Sequence, residues 1–444
     1  MNPELLAKYD RAVPRYTSYP TAPHFHAGIG PATCREWLAE MPVGQPLSIY
    51  LHVPFCQELC WYCGCHTMVA RRYQPIAEYL ELLLREVELV ADALGGRRPV
   101  THLHLGGGTP TMLTADDLRR LDERLRERFA ITADAEVAVE IDPRALAPET
   151  VGALAAIGVT RASLGLQDVN PEVQRAIKRW QPFEVTERAV SSLREAGIRG
   201  INFDLIYGLP HQTVGRVLRS VEAALSLQPE RLAMFGYAHV PWMKRHQRLI
   251  DETALPGPME RAAQIEAATA RLRGSGYVAI GLDHFALPGD SLALALREGR
   301  LRRNFQGYTT DTAPVLIGLG ASAIGSLPQG YVQNATPLPA YRAAIRAGQC
   351  ATVRGAALSD DDRLRRAIIE RLMCDFAVDL NGSAELFADE IEALEPFAAD
   401  GLVSIEDGVV RVEPSGRPLV RTVLRAVRRL SRSRRCAAFA RGLR

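Results

Sequence analysis

Short apolar runs and helix-like segments alternate over the first 290 residues, and this alternation restricts the fold more than any other feature. The predicted strands are Ser48–Val53, Thr101–Leu105, Glu136–Ile141, Arg161–Leu166, Ile201–Tyr207, Arg231–Tyr237 and Tyr277–Leu282. The predicted helices between them are Ala77–Ala91, Ala115–Phe129, Val185–Ala196, Val214–Leu227 and Met259–Arg273. This order predicts a parallel sheet with helices outside it. Six or so units are too few for an eightfold barrel, so we predict an α/β fold with a partial (β/α)6 TIM-type barrel.

Changes of pattern along the chain predict four parts. Residues 1–45 are expected to form an irregular, proline-rich N-terminal extension near the active site, and residues 46–290 the barrel. Residues 291–355 would connect the domains and contribute to the active site. Residues 356–444 would form a smaller, mostly helical, winged-helix-like domain, because helical segments there flank a hairpin signal at Asp407-Gly408.

Polar and flexible residues gather where the predicted strands end. In a barrel of parallel strands these ends meet at one mouth, where active sites form. In strand order the residues are Cys56, Gly106 to Gly108, Glu140 with Asp142, Gln167, Asp204, and Ala238 with His239. The strand pattern therefore predicts one active site built from all six strand ends.

Four of the eight cysteines fall within ten positions, at Cys56, Cys60, Cys63 and Cys65. In a large cytosolic chain such a cluster indicates metal binding or catalysis before disulfides. The spacing Cys-x3-Cys-x2-Cys places three thiolates on one tight loop, where they can hold three irons of a [4Fe–4S] cube and leave the fourth iron open. A zinc site completed by Cys65 or His66 is the alternative, although structural zinc normally takes two separated ligand pairs.

Composition and charge exclude several classes of protein. The 444 residues are 47% hydrophobic and 23% charged, as in an ordinary globular chain, and the formal net charge is only +2. This balance gives no argument for nucleic acid or an anionic membrane as a partner. The basic tail from Arg421 to Arg444 fits a solvated amphipathic helix better than a nucleic-acid contact. With no apolar run of membrane-spanning length and no signal peptide, we expect a soluble, cytoplasmic protein.

The cysteine spacing resembles the signature of the radical S-adenosylmethionine (SAM) superfamily. The wider segment from Tyr50 to Cys65 is similar to the oxygen-independent coproporphyrinogen III oxidase family, also called coproporphyrinogen dehydrogenases. Four further segments extend this resemblance over nearly the whole chain: Arg15–Pro20, Gly106–Thr111, Asp204–Pro210 and Asn304–Thr310. The cysteine spacing identifies the superfamily, whereas Cys65, Arg15–Pro20 and Asn304–Thr310 point to the oxidase.

The resemblance implies cofactors and the residues that bind them. Cys56, Cys60 and Cys63 would bind the [4Fe–4S] cluster, and the amino and carboxylate groups of SAM would chelate its open iron. The contacts to SAM would be Tyr50, Tyr62, Gly107, Gly108, Thr109, Glu140, Gln167, Arg179, Asp204, Ala238 and Ile324. The family also carries a second SAM, for which the matching positions are Glu140, Ile206, Phe305 and Gln306. Taken one at a time, Glu140, Gln167, Arg179 and Asp204 would by default be interpreted as solvated strand ends or helix caps.

Two further groups of residues are candidates for the site. Glu140 and Cys65 are the predicted catalytic residues, with Cys65 outside the cluster because a fourth protein ligand would close the iron that SAM needs. His102 and His104 alternate on one strand and favour a packed or solvated pair over a metal pair. The segments Tyr237–His239 and Asp283–Phe285 are candidates to line the substrate cavity.

The resemblance implies an enzyme of haem biosynthesis. It would decarboxylate two propionates of coproporphyrinogen III to the vinyl groups of protoporphyrinogen IX, using a 5′-deoxyadenosyl radical from reductive cleavage of SAM. The electron would come from a reduced donor such as flavodoxin or ferredoxin, and the enzyme is expected to be a monomer. Two alternatives stay open: a radical SAM haem chaperone, and an iron–sulfur electron carrier or regulator that does not cleave SAM.

Overall fold

The computed structural model describes residues 3–9, 13, 16–381 and 384–427. These residues form two compact units. The barrel unit contains residues 27–275 and 311–355, and the helical unit contains the described residues of 1–26, 276–310 and 356–444. The fourfold division drawn from the sequence stays a prediction.

Fifteen α-helices lie in the described part of the chain. They are α1 Pro3–Tyr9, α2 Pro31–Ala39, α3 Gln74–Leu94, α4 Ala115–Arg128, α5 Pro148–Ala156, α6 Pro171–Ala176, α7 Phe183–Glu195, α8 Val214–Ser226, α9 Pro258–Gly274, α10 Ser291–Arg297, α11 Leu338–Arg346, α12 Asp360–Cys374, α13 Ala388–Glu392, α14 Glu395–Ala399 and α15 Val420–Val423.

Nineteen strands lie within the same described ranges. They are β1 Leu47–Val53, β2 Phe55–Cys56, β3 Met68–Val69, β4 Pro99–Gly107, β5 Ala130–Ile141, β6 Arg161–Gln167, β7 Gly200–Tyr207, β8 Arg231–Gly236, β9 Val278–Ile280, β10 His284–Ala286, β11 Arg302–Asn304, β12 Gly307–Thr309, β13 Leu316–Leu319, β14 Ile324–Leu327, β15 Gly330–Asn334, β16 Thr352–Ala357, β17 Ala377–Asp379, β18 Val403–Glu406 and β19 Val409–Val412.

The barrel unit contains the predicted parallel sheet. Strands β1, β4, β5, β6, β7 and β8 are neighbours in this order and pair in parallel, which confirms the partial (β/α)6 barrel. The sheet continues beyond β1 with β13, which is also parallel to β1 and was not predicted. Strands β14 and β15 then return antiparallel. All six predicted strand ends therefore share one edge of the sheet.

Local sequence explains the main elements of this unit. In β1 six of seven residues are buried, as expected for a parallel strand covered on both faces. Helix α3 begins with Pro75 in its first turn and ends at Gly95, whose φ of 67° suits a residue without a side chain. Helix α4 begins where the Thr114 hydroxyl accepts a hydrogen bond from the N–H of Asp117 at 3.2 Å.

Two sequence-based expectations were wrong. Residues 1–45 were expected to be irregular, but their described part contains two short α-helices, because Pro3 and Pro31 begin α1 and α2 at the first helical position, where the missing N–H costs nothing. The predicted strand Tyr277–Leu282 is shorter and pairs antiparallel with β10 in the helical unit. The chain turns between these strands at Gly281, with φ of 54°, and a Cβ there would lie 2.0 Å from the Tyr308 ring.

The helical unit contains the predicted hairpin between α14 and α15. Strands β18 and β19 pair antiparallel around Asp407-Gly408, and the three-residue β17 adds a third strand. Buried side chains of α12, β19 and α15 pack together, among them Leu372, Val410 and Val420. This fold agrees with the predicted winged-helix-like domain. The basic tail beyond Val427 lies outside the described residues.

A candidate active site at the carboxyl ends of the barrel strands

The predicted cysteine cluster lies on one loop directly after β1. We call residues Cys56–Cys65 the cysteine loop. The two ends of the loop are tied together, because β2 pairs with β3 and the N–H of Ala70 donates to the Cys56 carbonyl at 3.0 Å. The chain beyond β1 is thereby folded back, and all four cysteines stay at the strand ends.

A second segment supports the cysteine loop. We call residues Val240–Leu249, which follow β8, the basic segment. Its side chains reach three carbonyl oxygens of the loop: His246 contacts that of Cys63 at 2.7 Å, Lys244 that of Cys65 at 2.9 Å, and Gln247 that of Tyr62 at 3.0 Å. These contacts use the backbone of the loop and leave its sulfur atoms free to bind a metal.

The sulfur atoms of Cys56 and Cys60 accept hydrogen bonds from the strand ends around them. The Thr109 hydroxyl donates to Cys56 Sγ at 3.5 Å. Arg144 Nη2 and Arg179 Nη1 donate to Cys60 Sγ at 3.5 and 3.6 Å. Hydroxyl and guanidinium donors stabilise the negative charge of a thiolate, which is the form that binds iron. The loop therefore has the donor set that an iron–sulfur cluster needs.

The cysteines do not have the arrangement of a single-metal site. Among the described residues, no three His, Cys, Asp or Glu side chains converge as they would around one metal ion. In a [4Fe–4S] cube each thiolate binds a different iron, so three separated sulfur atoms suit the cube. The alternative of a zinc site completed by Cys65 or His66 finds no support in this geometry.

The environment of Cys65 differs from that of the other loop thiols. Its residue is exposed, whereas Cys60 is buried and Cys56 and Cys63 are partly buried. A hydrogen bond from Cys65 lowers the pKa of Cys63 to about 6, and the same contact raises the pKa of Cys65. Burial raises the pKa of Cys56 to about 11. Of the neighbouring pair, Cys63 is therefore the one that ionises more readily.

The triple glycine Gly106–Gly108 at the end of β4 allows the chain to approach the cysteine loop closely. Gly107 has φ of 121°, a conformation that disfavours a side chain. A Cβ on Gly108 would lie 2.7 Å from the Phe55 carbonyl oxygen and 3.0 Å from Cys56 Sγ. Glycine at both positions therefore leaves room beside Cys56 for a ligand.

Glu140 is placed beside this glycine turn. Its Oε2 accepts a hydrogen bond from the N–H of Gly107 at 3.0 Å, and its Oε1 lies 3.1 Å from His104 Nε2. Burial raises the pKa of Glu140, but the hydrogen bonds from His104 and Gly107 lower it further, so the net pKa is below the usual value. The side chain is 38% exposed, so this carboxylate can accept hydrogen bonds from a bound ammonium group.

Arg179 and Gln167 lie around the end of β6. The backbone of Gln167 is left-handed, with φ of 63°. Its side chain and that of Arg179 pack against Gly165, because a Cβ on Gly165 would lie 2.6 Å from Gln167 Nε2 and 3.0 Å from Arg179 Nη2. Arg179 also contacts the Gly165 carbonyl at 2.7 Å. Its Nε is buried without a hydrogen-bond partner in the described part of the chain. This N–H is therefore a buried donor that no described group satisfies.

The next strand, β7, contributes Asp204 and Ile206. Asp204 accepts hydrogen bonds from Ser163 at 3.0 Å and from Asn202 at 3.0 Å, which fix its carboxylate. Ile206 and Tyr62 both pack against an apolar cluster that contains Leu209. These residues line the same mouth as the cysteine loop.

The remaining predicted residues divide between the two units. Tyr50 lies on β1, where its hydroxyl contacts His52 Nδ1 at 3.0 Å. Ala238 follows β8 and Ile324 begins β14, both within the barrel unit. Phe305 and Gln306 connect β11 to β12 in the helical unit, where the N–H of Gln306 donates to Asn304 at 3.0 Å. The structure thus collects the candidate SAM contacts in one unit, apart from Phe305 and Gln306.

Two features of the site were not predicted. His102 lies 3.2 Å from Asp311 and His104 lies 3.1 Å from Glu140, so the two histidines are packed, as expected. The contact with Glu140, which makes His104 part of the site, was not predicted. Arg144, which follows β5, was also missed. The spacing Asp142-Pro143-Arg144 at a strand end is the signal that could have found it.

This fold and donor set define a radical SAM domain. The family model described as the Radical SAM superfamily matches residues 50–224, and that of the HemN C-terminal domain matches residues 358–419. In the described part of the chain no helix is both long and apolar enough to cross a membrane.

Comparison with similar proteins identifies the family within this superfamily. The oxygen-independent coproporphyrinogen III oxidase of Bradyrhizobium diazoefficiens is 51% identical over 96% of each chain, and that of Paracoccus denitrificans is 45% identical over 95% of each. The solved structure of coproporphyrinogen III oxidase (HemN) from Escherichia coli, a radical SAM enzyme, matches with a TM-score of 0.89 at 40% identity, covering 93% of this chain and 96% of that one. The chain belongs to the oxygen-independent coproporphyrinogen III oxidase family.

Proposed function

We propose that this chain oxidatively decarboxylates coproporphyrinogen III to protoporphyrinogen IX in anaerobic haem biosynthesis, with Cys56, Cys60 and Cys63 as the cluster ligands. The cysteine loop supports this function most strongly. It lies at the mouth of the barrel, and hydroxyl and guanidinium groups donate hydrogen bonds to two of its sulfur atoms. When bound, the [4Fe–4S] cluster and SAM supply the radical that removes hydrogen from a propionate carbon.

The residues around the loop would hold and orient SAM. Glu140 presents an ionised carboxylate to the amino group, and the glycine turn at Gly107 and Gly108 lets the ligand approach the backbone. Arg179, whose Nη1 donates to Cys60 Sγ, is proposed as a further contact to this SAM. The other contacts proposed for this SAM are Tyr50, Tyr62, Thr109, Gln167, Asp204, Ala238 and Ile324.

A second SAM is proposed at Glu140, Ile206, Phe305 and Gln306, because these positions match the family's second site. Each vinyl group requires one hydrogen atom, one carbon dioxide and one further electron to leave the propionate. Two decarboxylations therefore consume two SAM, and an electron acceptor takes the last electron of each. Cys65 is proposed to act on the substrate side, since it is exposed and is not needed as a cluster ligand.

The electron donor is proposed to be a small acidic carrier protein such as a flavodoxin or a ferredoxin. The basic segment supports this, because it contacts the cysteine loop and presents Lys244, Arg245 and Arg248 with no acidic residue among its ten. Trp242 and Met243 in the same segment are both 72% exposed. A basic rim around exposed apolar residues suits an acidic protein partner.

A cytoplasmic monomer is proposed as the working form. Every cysteine in the described ranges is a free thiol, which fits a reducing compartment. Light scattering of the reconstituted enzyme tests the oligomeric state, for which we expect the mass of one chain.

One anaerobic assay tests the function. The reconstituted protein is incubated with SAM, dithionite and coproporphyrinogen III, and we expect protoporphyrinogen IX together with cleaved SAM. SAM cleavage without a porphyrin product would favour the haem chaperone, and no SAM cleavage would favour an electron carrier or regulator.

Iron content tests the cluster ligands separately. Cys56→Ser, Cys60→Ser and Cys63→Ser should each lose most of the iron after reconstitution, because each variant removes one of the three proposed thiolate ligands. Cys350→Ser, which lies outside the loop, is the control and should retain it. Full iron in the Cys60 variant would remove it from the ligand set.

A further inference from the structure

Arg144 lies beside Cys60, one of the proposed cluster ligands. It follows β5 in the turn after Asp142, and its Nη2 donates to Cys60 Sγ at 3.5 Å. The same Nη2 contacts Asp142 Oδ2 at 2.6 Å, and its Nε contacts Asp142 Oδ1 at 3.0 Å. The side chain is only 17% exposed, so its charge is little screened by water.

Asp142 joins Arg144 to a second guanidinium. Arg179 contacts both Asp142 oxygens at 3.3 Å and Cys60 Sγ at 3.6 Å. Two positive groups and one carboxylate therefore surround this sulfur atom and leave one positive charge in excess. Arg144 also forms an ion pair with Glu58 at 3.9 Å, but Glu58 is 62% exposed, so water screens its charge.

A positive charge beside a cluster thiolate favours the reduced cluster. Reduction adds one negative charge to the cube, and hydrogen bonds to its sulfur ligands and nearby net charge set its potential. The added electron is stabilised by the excess positive charge at Cys60, and this stabilisation depends on distance and not on substrate.

We propose that Arg144 raises the reduction potential of the iron–sulfur cluster through the sulfur of Cys60, and that Asp142 moderates this effect. Arg144 is thus a positioning residue that makes the cluster easier to reduce by its donor. The proposal rests on Cys60 being a cluster ligand, as proposed above.

The test is a redox titration of the reconstituted protein in the absence of SAM and porphyrinogen, followed by electron paramagnetic resonance. Arg144→Gln should make the cluster at least tenfold harder to reduce, which corresponds to a potential about 59 mV more negative for one electron. Arg144→Lys, which keeps the charge, should recover at least half of that shift. Arg126→Gln is the matched control, since Arg126 pairs with Asp122 and a carbonyl and contacts no cysteine.

Asp142→Asn is an independent test. Removing this carboxylate leaves the charges of both guanidiniums uncompensated, so the reduction potential of the cluster should become more positive. A structural role alone predicts no such opposite signs. If Arg144→Gln does not hold iron, the Asp142 variant decides. Iron-loaded variants whose potentials stay within the spread of the Arg126 control would overturn this inference and leave the cluster assignment intact. Iron retained by Cys60→Ser would instead remove the proposed ligand set.

Discussion

At the scale of single residues, Cys65 is predicted to have a different role from the three motif cysteines. Cys65 is exposed and lies beside Cys63 in a loop whose Cys-x3-Cys-x2-Cys motif is complete without it. Cys65→Ser should therefore keep the iron and bind SAM, but slow porphyrinogen turnover by about a hundredfold, the cost of misplacing a reacting group by about 1 Å. Iron content, SAM binding and product formation are measured on the same sample. Loss of the cluster in this variant would make Cys65 a ligand.

Glu140 tests the proposed contact to SAM. Its carboxylate is held by Gly107 and His104, and Glu140→Gln would remove the charge while keeping the size of the side chain. A hydrogen bond to a charged group is worth about 1.5–3 kcal/mol, so we expect SAM to bind roughly 10- to 150-fold more weakly by equilibrium binding.

Glu136→Gln is the control for that measurement. Glu136 lies on the same strand and pairs with Arg161, away from the cysteine loop. Unchanged SAM affinity in the Glu140 variant, or an equal loss in both variants, would contradict the role of Glu140.

At the scale of elements, the buried Glu86 of α3 binds three residues in the segment that runs from the end of β13 through α11. Glu86 accepts hydrogen bonds from the N–H of Gly320 at 2.6 Å, from Asn334 at 2.7 Å and from Tyr341 at 2.7 Å. Burial raises the pKa of Glu86 to about 7 although all three donors lower it. Desolvation is therefore the dominant effect, and the carboxyl binds its proton more tightly in the folded chain than in the unfolded one.

This raised pKa gives stability a defined dependence on pH. The contribution of Glu86 is fully present below its unfolded pKa of about 4.5 and is lost as the pH rises through 7. Relative to Glu86→Gln, the natural protein should lose about 3 kcal/mol of unfolding free energy between pH 4.5 and pH 8. Urea unfolding of the apoprotein at several pH values measures the difference. Glu78→Gln on the same helix is the control, and a pH-independent difference for Glu86→Gln would contradict the prediction.

The elements show which parts of the fold can be predicted from sequence. Strands such as β1 are predictable because burial on both faces demands a continuous apolar run. Strand β13 was missed because its four residues from Leu316 to Leu319 give too short a pattern, and only pairing with β1 reveals it. The turn at Gly281 was misread because an antiparallel pair and a parallel strand have the same apolar sequence.

Some residues of the candidate site could be predicted from the sequence, and others could not. The cysteines, Glu140 and Asp204 were predictable, because strand ends and spacing in the chain suffice to place them. His104 was not, because its contact with Glu140 depends on the register between β4 and β5. The network of Arg144, Asp142 and Arg179 also depends on tertiary contacts between residues up to 37 positions apart. Spacing therefore predicts the ligands of the cluster, and only the structure gives the groups that surround them.

At the scale of the whole molecule, the basic segment is where we expect a partner protein to dock. Arg245→Glu combined with Arg248→Glu should slow reduction of the cluster by reduced flavodoxin at least tenfold at low salt, because both charges lie beside the loop. Reduction by dithionite, which needs no docking, should be unchanged. Stopped-flow absorbance of the cluster follows both reactions.

The control for docking is an equal charge reversal elsewhere on the barrel unit. Arg188→Glu with Arg273→Glu changes two exposed arginines on α7 and α9 and should leave the flavodoxin rate within about twofold. An equal effect of both double variants would mean that net charge alone matters. A raised KM for coproporphyrinogen in the basic-segment variant, with normal flavodoxin rates, would assign the segment to the substrate.

Hydrogen transfer from the substrate to the nucleoside part of SAM tests whether this chain performs the radical decarboxylation. Coproporphyrinogen III is deuterated at the propionate carbon next to the ring and turned over anaerobically with SAM, and the nucleoside product is analysed by mass spectrometry. We expect one deuterium in 5′-deoxyadenosine for each vinyl group formed, and no labelled nucleoside with Cys60→Ser. Protoporphyrinogen IX formed without deuterium in 5′-deoxyadenosine would contradict it.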